Sequence, residues 1–227
     1  MGEELKEELI HLLREKGAKL VGIADLTEIV SGPLKTGVSV AVPVPKHIVE
    51  SLKTAPTKEY YEAYHSLNEQ LDDIVTSGAK LLQKRGYRSF ANTTKVVETD
   101  REWRTPLPHK TVATRGGLGW IGKNCLLVTR EYGSAIRLSS LLTDAPLPAD
   151  TPVNKSFCGA CNVCVRNCPA GALTGTVWTP GMEREKIFHR EECKKMQIQR
   201  MKEATGIETD LCGLCFAVCP YTQKYLK

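Results

Sequence analysis

Two runs of cysteine near the carboxyl-terminal end constrain this chain more than any other feature of its sequence. The first run, residues 158–168, holds four cysteines, and the second, residues 212–219, holds three. A proline follows each run directly. Disulfide pairing explains this pattern poorly, because a chain of 227 residues can bury a core without cross-links and we identify no secretory signal. The regular spacing instead indicates thiols that bind metal.

The spacing of the first run separates an iron–sulfur site from a zinc site. The pattern C-x2-C-x2-C-x3-C-P is that of bacterial two-cluster ferredoxins, in which three thiolates hold one cubane and the fourth reaches the other. Zinc sites usually have two C-x2-C pairs and no C-P arm. The second run is a shortened version of the ferredoxin pattern, and Cys193 between the runs brings the set to eight. Eight thiolates predict two [4Fe-4S] clusters.

The ferredoxin rule also predicts how the thiolates divide, because the last cysteine of each run belongs to the opposite cluster. The ligands expected on the first cluster are Cys158, Cys161, Cys164 and Cys219. Those expected on the second cluster are Cys168, Cys193, Cys212 and Cys215. The ninth cysteine, Cys125, is interpreted as a buried strand residue and not as a ligand.

Length and composition place the clusters within a larger α+β protein. A chain of 227 residues is long enough for two domains. Its content of 41% hydrophobic and 25% charged residues is ordinary for a globular protein. Prolines 146, 148 and 152 mark a linker, so we expect an α/β domain over 1–150 and a double-cluster ferredoxin-like domain over 151–227. Periodicity predicts helices over 3–16 and 57–85 and strands over 18–26, 37–44, 87–91, 125–129 and 135–143.

Charge and hydropathy bear on location and partners. No apolar run approaches the ~18–20 residues of a membrane span, and the amino terminus is acidic where a signal peptide would be basic. We therefore expect a cytoplasmic protein with no membrane partner. The net charge of +5 comes from basic residues interleaved with acidic ones, which is typical of solvated helix faces and not of a nucleic-acid surface.

Residues 115–124 form a glycine-rich stretch, Arg-Gly-Gly-Leu-Gly-Trp-Ile-Gly-Lys-Asn. Its glycines match G-x-G-x-x-G and the outer spacing of a phosphate loop, but Asn124 replaces the hydroxyl residue that would hold magnesium. The expected order of strand, loop and helix is also reversed. We therefore expect the glycines to let the backbone approach a large flat group, with Trp120 packed nearby.

The glycine stretch, Gly133-Ser134, residues 143–148 and the two cysteine runs, in this order, resemble the epoxyqueuosine reductase family, which is related to the reductive dehalogenases. The resemblance is close over residues 105–222 and loose before them. It implies a cobalamin between a nitroreductase-like amino-terminal domain and the two-cluster domain, with the nearer cluster passing electrons to cobalt. The residues that would hold the corrin are Gly119, Trp120, Ile121, Gly122, Lys123, Leu127, Leu138 and Leu141. For the three leucines, a place in the sheet core is an equally good interpretation.

The chain also departs from the family's pattern. The position of the family's catalytic aspartate, upstream of the glycine stretch, is occupied here by Trp103. Candidate proton donors or axial contacts to cobalt nearby are Asp100, Glu102, His109 and Lys110. A surface turn with two solvated cations is the alternative for the last two. The sequence ends at Lys227 without the family's carboxyl-terminal tRNA-holding extension, so we expect tRNA not to be the substrate.

Three functions fit these features. The first is a corrinoid iron–sulfur oxidoreductase that acts on a small molecule. The second is an electron carrier that reduces a corrinoid protein and has no substrate chemistry of its own. The third is a two-cluster ferredoxin with an appended domain for another ligand, such as a flavin. All three require a low-potential electron donor as partner.

Overall fold

The computed structural model describes residues 2–100 and 104–227. Helices and strands alternate irregularly along the chain, as an α+β fold requires. In chain order the elements are α1 (Gly2–Glu15), β1 (Leu20–Asp25), β2 (Thr36–Pro43), α2 (Lys46–Ser51), α3 (Lys58–Lys84), β3 (Ser89–Asn92), α4 (His109–Arg115), β4 (Trp120–Ile121), β5 (Leu127–Val128), β6 (Ile136–Thr143), α5 (Val163–Arg166), a 3-10 helix (Arg184–Lys186), α6 (Arg190–Thr205), α7 (Leu214–Ala217) and α8 (Pro220–Leu226).

The chain divides into two compact units, each assembled from three segments. The first unit comprises Met1–Val42, Ser66–Leu118 and Arg137–Val153. The second unit comprises Pro43–His65, Gly119–Ile136 and Asn154–Lys227. The domain boundary expected at residue 150 stays a prediction.

The first unit is built on a four-stranded sheet with the strand order β1-β2-β6-β3. Strand β1 pairs antiparallel with β2, and β3 pairs antiparallel with β6. Residues 37–42 of β2 are buried without alternation, which is the pattern of a strand covered on both faces. The core next to the sheet includes Leu9 and Leu13 of α1, Ile74 and Leu82 of α3, and Leu141 of β6. Helices α1 and α3 confirm the two helices that periodicity predicted.

Two local expectations were wrong. Helix α4 begins at His109, inside a segment expected to be irregular as far as Lys110. Pro108 occupies the N-cap position, where no intrahelical hydrogen bond needs its missing N–H. Val112 and Ala113 stabilise the helix by burying its inner face. The strand expected from Cys125 is reduced to β5, because Cys125 itself donates its backbone N–H to the Gly122 carbonyl in a turn.

The second unit contains a short hairpin and the cysteine-rich segment. Trp120 pairs with Val128 and Ile121 with Leu127 to form the β4–β5 hairpin. Four helices, α5 to α8, follow in the cysteine-rich segment. Within the described residues, no helix combines the length and the apolar character needed to cross a membrane.

Candidate functional site

Four of the eight predicted ligands line one cavity of the second unit. The cavity has a volume of about 220 Å³. Its walls are formed by Cys158, Cys161, Cys164, Cys219, Lys123, Asn124, Val128, Phe157, Pro220 and Tyr221. We call it the thiol cavity. Its four cysteines are the set that the ferredoxin rule assigned to the first cluster.

Tight turns and helix starts position these four thiols. The backbone N–H of Cys161 donates to the Cys158 carbonyl at 2.9 Å, so the first two thiols flank one turn. Cys164 lies in the first turn of α5. Cys219 precedes α8, where Pro220 occupies the first turn, a position that tolerates proline because no intrahelical bond needs its N–H. The C-P arm therefore starts a helix directly after its thiol.

Burial favours the protonated form of two of these thiols, Cys164 and Cys219, when no metal is bound. Burial raises the pKa of the Cys164 thiol to about 11, and the neighbouring Cys219, Cys158 and Cys161 add to the effect. Burial likewise raises the pKa of Cys219. Because iron binds thiolates, cluster assembly here must release protons and supply the positive charge that lets several thiolates coexist.

The other four predicted ligands also lie close to one another. Burial raises the pKa of Cys193 to about 11, with Cys168 and Cys212 as the next causes and Cys125 after them. Burial and then Cys212 and Cys193 raise the pKa of Cys215 well above its usual range.

One of these thiols also accepts a backbone hydrogen bond, since the Ala172 N–H donates to the Cys168 sulfur at 3.4 Å. Hydrogen bonds to sulfur are among the features that set cluster potentials. Across residues 2–100 and 104–227, no three His, Cys, Asp or Glu side chains are grouped to hold a single metal ion. The individual ligand assignments stay predictions.

Trp120 of the glycine stretch is buried in the second unit. Its ring makes edge contacts with Phe157 at 5.1 Å and with Tyr221 at 4.9 Å between centroids. Both partners line the thiol cavity. The indole Nε1 is buried and has no hydrogen-bond acceptor among the described residues, and a buried donor of this kind is costly unless a bound group satisfies it.

The glycines of the stretch have neighbours within the chain itself. A Cβ on Gly119 would lie 2.1 Å from the Val128 carbonyl oxygen, so only glycine permits the hairpin to close. Gly117 has φ +76°, and its Cβ would lie 2.8 Å from the Thr151 carbonyl oxygen. The close approaches at Gly117 and Gly119 are therefore to backbone of the same chain, whereas those at Gly122 are to the side chains of Asn124 and Val128. The expected approach of the glycines to a flat group stays a prediction.

Lys123 and Asn124, which end the glycine stretch, are buried in the wall of the thiol cavity. The Lys123 Nζ donates to the Asn162 side-chain oxygen at 2.8 Å. Asn162 lies between Cys161 and Cys164 in the sequence, so this bond ties the glycine stretch to the cysteine run. Asn124 donates to the Ser134 hydroxyl at 3.0 Å.

The remaining residues expected to hold a corrin are spread over both units. Ile121 and Leu127 pair in the hairpin, and Gly122 directly follows Ile121; all three are buried. Leu141 belongs to the hydrophobic core of the first unit, which is the alternative that the sequence left open for it. Leu138, also on β6, is partly buried.

The candidates for catalysis lie in the first unit or outside the described residues. The Asp100 carboxylate accepts the Arg104 backbone N–H at 2.8 Å. Glu102, like Trp103, lies outside the described residues. Lys110 is half-buried in the first turn of α4.

His109 is the catalytic candidate with the most perturbed environment. Its Nδ1 lies 2.9 Å from the Ser140 hydroxyl. Burial, followed by repulsion from Arg137, lowers the pKa of His109 to about 4, against a weaker opposing effect of Asp72. The imidazole is therefore neutral at physiological pH.

Sequence reasoning assigned only Lys123, among the wall residues other than cysteine, to a site; Phe157, Tyr221 and the neighbouring Asn162 are among those that it missed. Phe157 directly precedes Cys158 and Tyr221 directly follows Pro220, and both line the cavity. Asn162 holds Lys123. Their adjacency to the cysteine runs was the available signal, but nothing in the spacing distinguishes a wall residue from a solvated one.

Comparison with known proteins agrees with this geometry. A family model described as a 4Fe-4S double cluster binding domain matches residues 157–222. The epoxyqueuosine reductase of Listeria monocytogenes is 39% identical over 116 residues, which cover 50% of this chain and 29% of that protein. The epoxyqueuosine reductase of Aliivibrio fischeri is 35% identical over 169 residues, covering 71% of this chain and 40% of that protein. The chain therefore spans less than half the length of these relatives.

Solved structures show the same fold. The catabolic reductive dehalogenase NpRdhA superposes with a TM-score of 0.76 at 18% identity, covering 98% of this chain and 32% of that one. An epoxyqueuosine reductase in complex with an epoxyqueuosine-modified tRNA-Tyr stem loop gives a TM-score of 0.64 at 24% identity, covering 97% of this chain and 66% of that one.

Fold and matched domain together define a double-cluster iron–sulfur protein of redox type, and they confirm the predicted α+β fold class and the two [4Fe-4S] clusters. The predicted resemblance to the epoxyqueuosine reductase family is confirmed as well, so the chain is a relative of these oxidoreductases.

Proposed function

We propose that this chain is a corrinoid iron–sulfur protein in which two [4Fe-4S] clusters pass electrons to the cobalt of a cobalamin. The observation that carries the proposal is the thiol cavity, in which four cysteines share a wall with the glycine-stretch residues Lys123 and Asn124. The named activity of the relatives supports a redox role. A solved dehalogenase of the same fold, with a TM-score of 0.75 at 18% identity, is titled for B12-dependent dehalogenation.

The clusters fit the residues present. We assign the first cluster to the thiols of the cavity and the second to Cys168, Cys193, Cys212 and Cys215, because Cys168 and Cys212 are among the neighbours that raise the pKa of Cys193 and of Cys215. Soft thiolate donors in sets of four are what a [4Fe-4S] cluster requires. In this proposal residues 151–227 carry the clusters and residues 1–150 contribute the larger part of the cobalamin site.

The fit to cobalamin depends on Trp120. Its buried N–H lacks an acceptor among the described residues, and the amide groups at the edge of a corrin offer acceptors. A bound cobalamin would supply a cobalt centre that accepts one electron at a time. Trp120, with Phe157 and Tyr221 against its edges, would give that centre a rigid apolar neighbour and limit its access to water.

Iron content and cobalamin binding test the proposal in sequence. Anaerobic reconstitution with iron and sulfide should give about eight irons per chain. Hydroxocobalamin should then bind saturably at micromolar concentration and change its visible spectrum. Failure to retain iron would overturn the whole proposal, and full iron content without a spectral change would overturn its cobalamin part.

A matched pair of tryptophan variants sharpens the binding test. Trp120→Phe keeps an aromatic ring between Phe157 and Tyr221 but removes the unpaired N–H. Trp178→Phe makes the same change at another buried tryptophan, outside the thiol cavity. We expect weaker cobalamin binding for the first variant and unchanged binding for the second.

A second candidate function is an electron carrier that reduces a corrinoid and has no substrate chemistry of its own. Two catalytic candidates favour it. The Asp100 carboxylate accepts the Arg104 backbone N–H, and His109, which is neutral, lacks the imidazolium proton that a general acid would donate. Stoichiometric cobalt reduction without turnover of any small substrate supports the carrier, and multiple turnovers exclude it.

A further inference from the structure

Lys123 is a buried cation that has no carboxylate partner within the described residues. Only 4% of its surface is exposed. Among the residues that the structure describes, its ammonium donates a hydrogen bond to the neutral side-chain amide of Asn162. The same lysine lines the thiol cavity with Cys158, Cys161 and Cys164.

A buried charge without a counter-charge is costly, and lysine is rarely buried unless it is paired. The amide of Asn162 satisfies one N–H of the ammonium but supplies no negative charge. A [4Fe-4S] cluster held by four thiolates carries a net negative charge, which increases by one when the cluster accepts an electron. A cluster in the thiol cavity would therefore give Lys123 the anion that the described part of the chain does not supply.

We propose that Lys123 is the counter-charge of the first cluster and raises its reduction potential. A fixed positive charge beside the cluster stabilises the reduced form more than the oxidised form, because the reduced form carries the additional negative charge. The couple is a one-electron step in which a low-potential donor loses the electron that the cluster gains, and no bond is made or broken. The inference rests on the proposed function, since it assigns the cluster to this cavity.

Lys123 also has a structural bond to Asn162, so the charge and the hydrogen bond must be tested separately. Lys123→Met removes both and keeps an apolar side chain of similar length. Lys123→Gln removes the charge and retains an amide N–H that can donate to Asn162. Asn162→Ala removes the hydrogen bond and leaves the charge.

An exposed lysine at the same cavity provides the control. The Lys155 Nζ lies 5.4 Å from the centre of the Phe157 ring, which lines the thiol cavity. Lys155 is exposed to solvent, so water and salt screen its charge. Lys155→Met therefore removes one positive charge near the same site with little expected effect.

The measurement is a potentiometric titration of both clusters, followed by EPR, on reconstituted full-length protein. In Lys123→Met and Lys123→Gln, the ratio of reduced to oxidised first cluster at a fixed potential should fall at least about tenfold, which corresponds to a decrease of about 59 mV. The second cluster should shift less. Asn162→Ala and Lys155→Met should leave the ratio nearly unchanged.

The outcomes show whether the charge of Lys123 or its hydrogen bond to Asn162 controls the potential of the first cluster. Unchanged potentials in both Lys123 variants, with full iron content, would refute the inference and leave the proposed function standing. A decrease in Asn162→Ala equal to that in Lys123→Gln would also refute it, because the hydrogen bond and not the charge would then control the potential. A wild-type chain that holds no cluster would instead refute the proposed function.

Discussion

Replacing Cys193 by alanine tests how the eight thiols divide between two clusters. In the proposed division this cysteine serves only the second cluster, so its loss should lower the iron content from about eight to about four per chain. The structure introduces one complication, because Cys125 is among the neighbours that raise the pKa of Cys193. A thiol this close could replace the missing ligand, so the decisive variant is Cys193→Ala combined with Cys125→Ala.

Iron and acid-labile sulfide are measured on anaerobically reconstituted protein, with EPR of the reduced sample to identify the remaining cluster. Cys125→Ala alone is the control and should keep about eight irons. Cys158→Ala is the reciprocal variant and should lose the first cluster while the second remains. If the double variant keeps about eight irons, the assignment of Cys193 is wrong; if it keeps none, the two clusters do not assemble independently.

Three further predictions concern stability and titration. Gly119→Ala should lower the free energy of unfolding by about 3 kcal/mol, because the new Cβ would collide with a backbone oxygen that is fixed in the hairpin. The control is Gly32→Ala, which has nothing near its Cβ and should lower the free energy of unfolding by less than about 0.5 kcal/mol. Asp150→Ala should lower the free energy of unfolding, measured with denaturant, by about 2 kcal/mol, because the carboxylate accepts hydrogen bonds from a β1 backbone N–H and from the Lys6 ammonium. Lys6→Ala should lower it by about 1 kcal/mol or less. The pKa of His109 is lowered from 6.5 to about 4, so its contribution to stability is complete above pH 6.5 and is lost as the pH falls towards 4; the imidazole signal in NMR should therefore not titrate between pH 8 and about 5.

The closeness of thiols within one run could be predicted because their spacing is a local property. Two thiols that flank one turn, such as Cys158 and Cys161, lie close whatever the rest of the fold does. The division between clusters needed the additional ferredoxin rule, and the structure gathers Cys219 with the first run as that rule expects. Cys193 followed from counting ligands and not from any pattern around it.

The glycine stretch was harder to interpret because glycine is compatible with several causes. A missing Cβ can admit a ligand, a left-handed turn or a neighbouring backbone, and sequence does not distinguish them. The structure shows backbone at both Gly117 and Gly119. The turn conformation of Cys125 could not be predicted from the sequence either, because its φ of 60° is a conformation that a cysteine seldom adopts.

The glycine stretch and the cysteine runs depend on each other within the second unit. Trp120 packs between Phe157, which precedes the first thiol, and Tyr221, which follows the second C-P arm. Lys123 holds Asn162 inside the first run. Substitution of either partner would leave a buried donor or a buried ring face without its contact, which is costly in a low-dielectric interior. The two motifs therefore belong to one site, even though more than thirty residues of sequence separate Lys123 from Cys158.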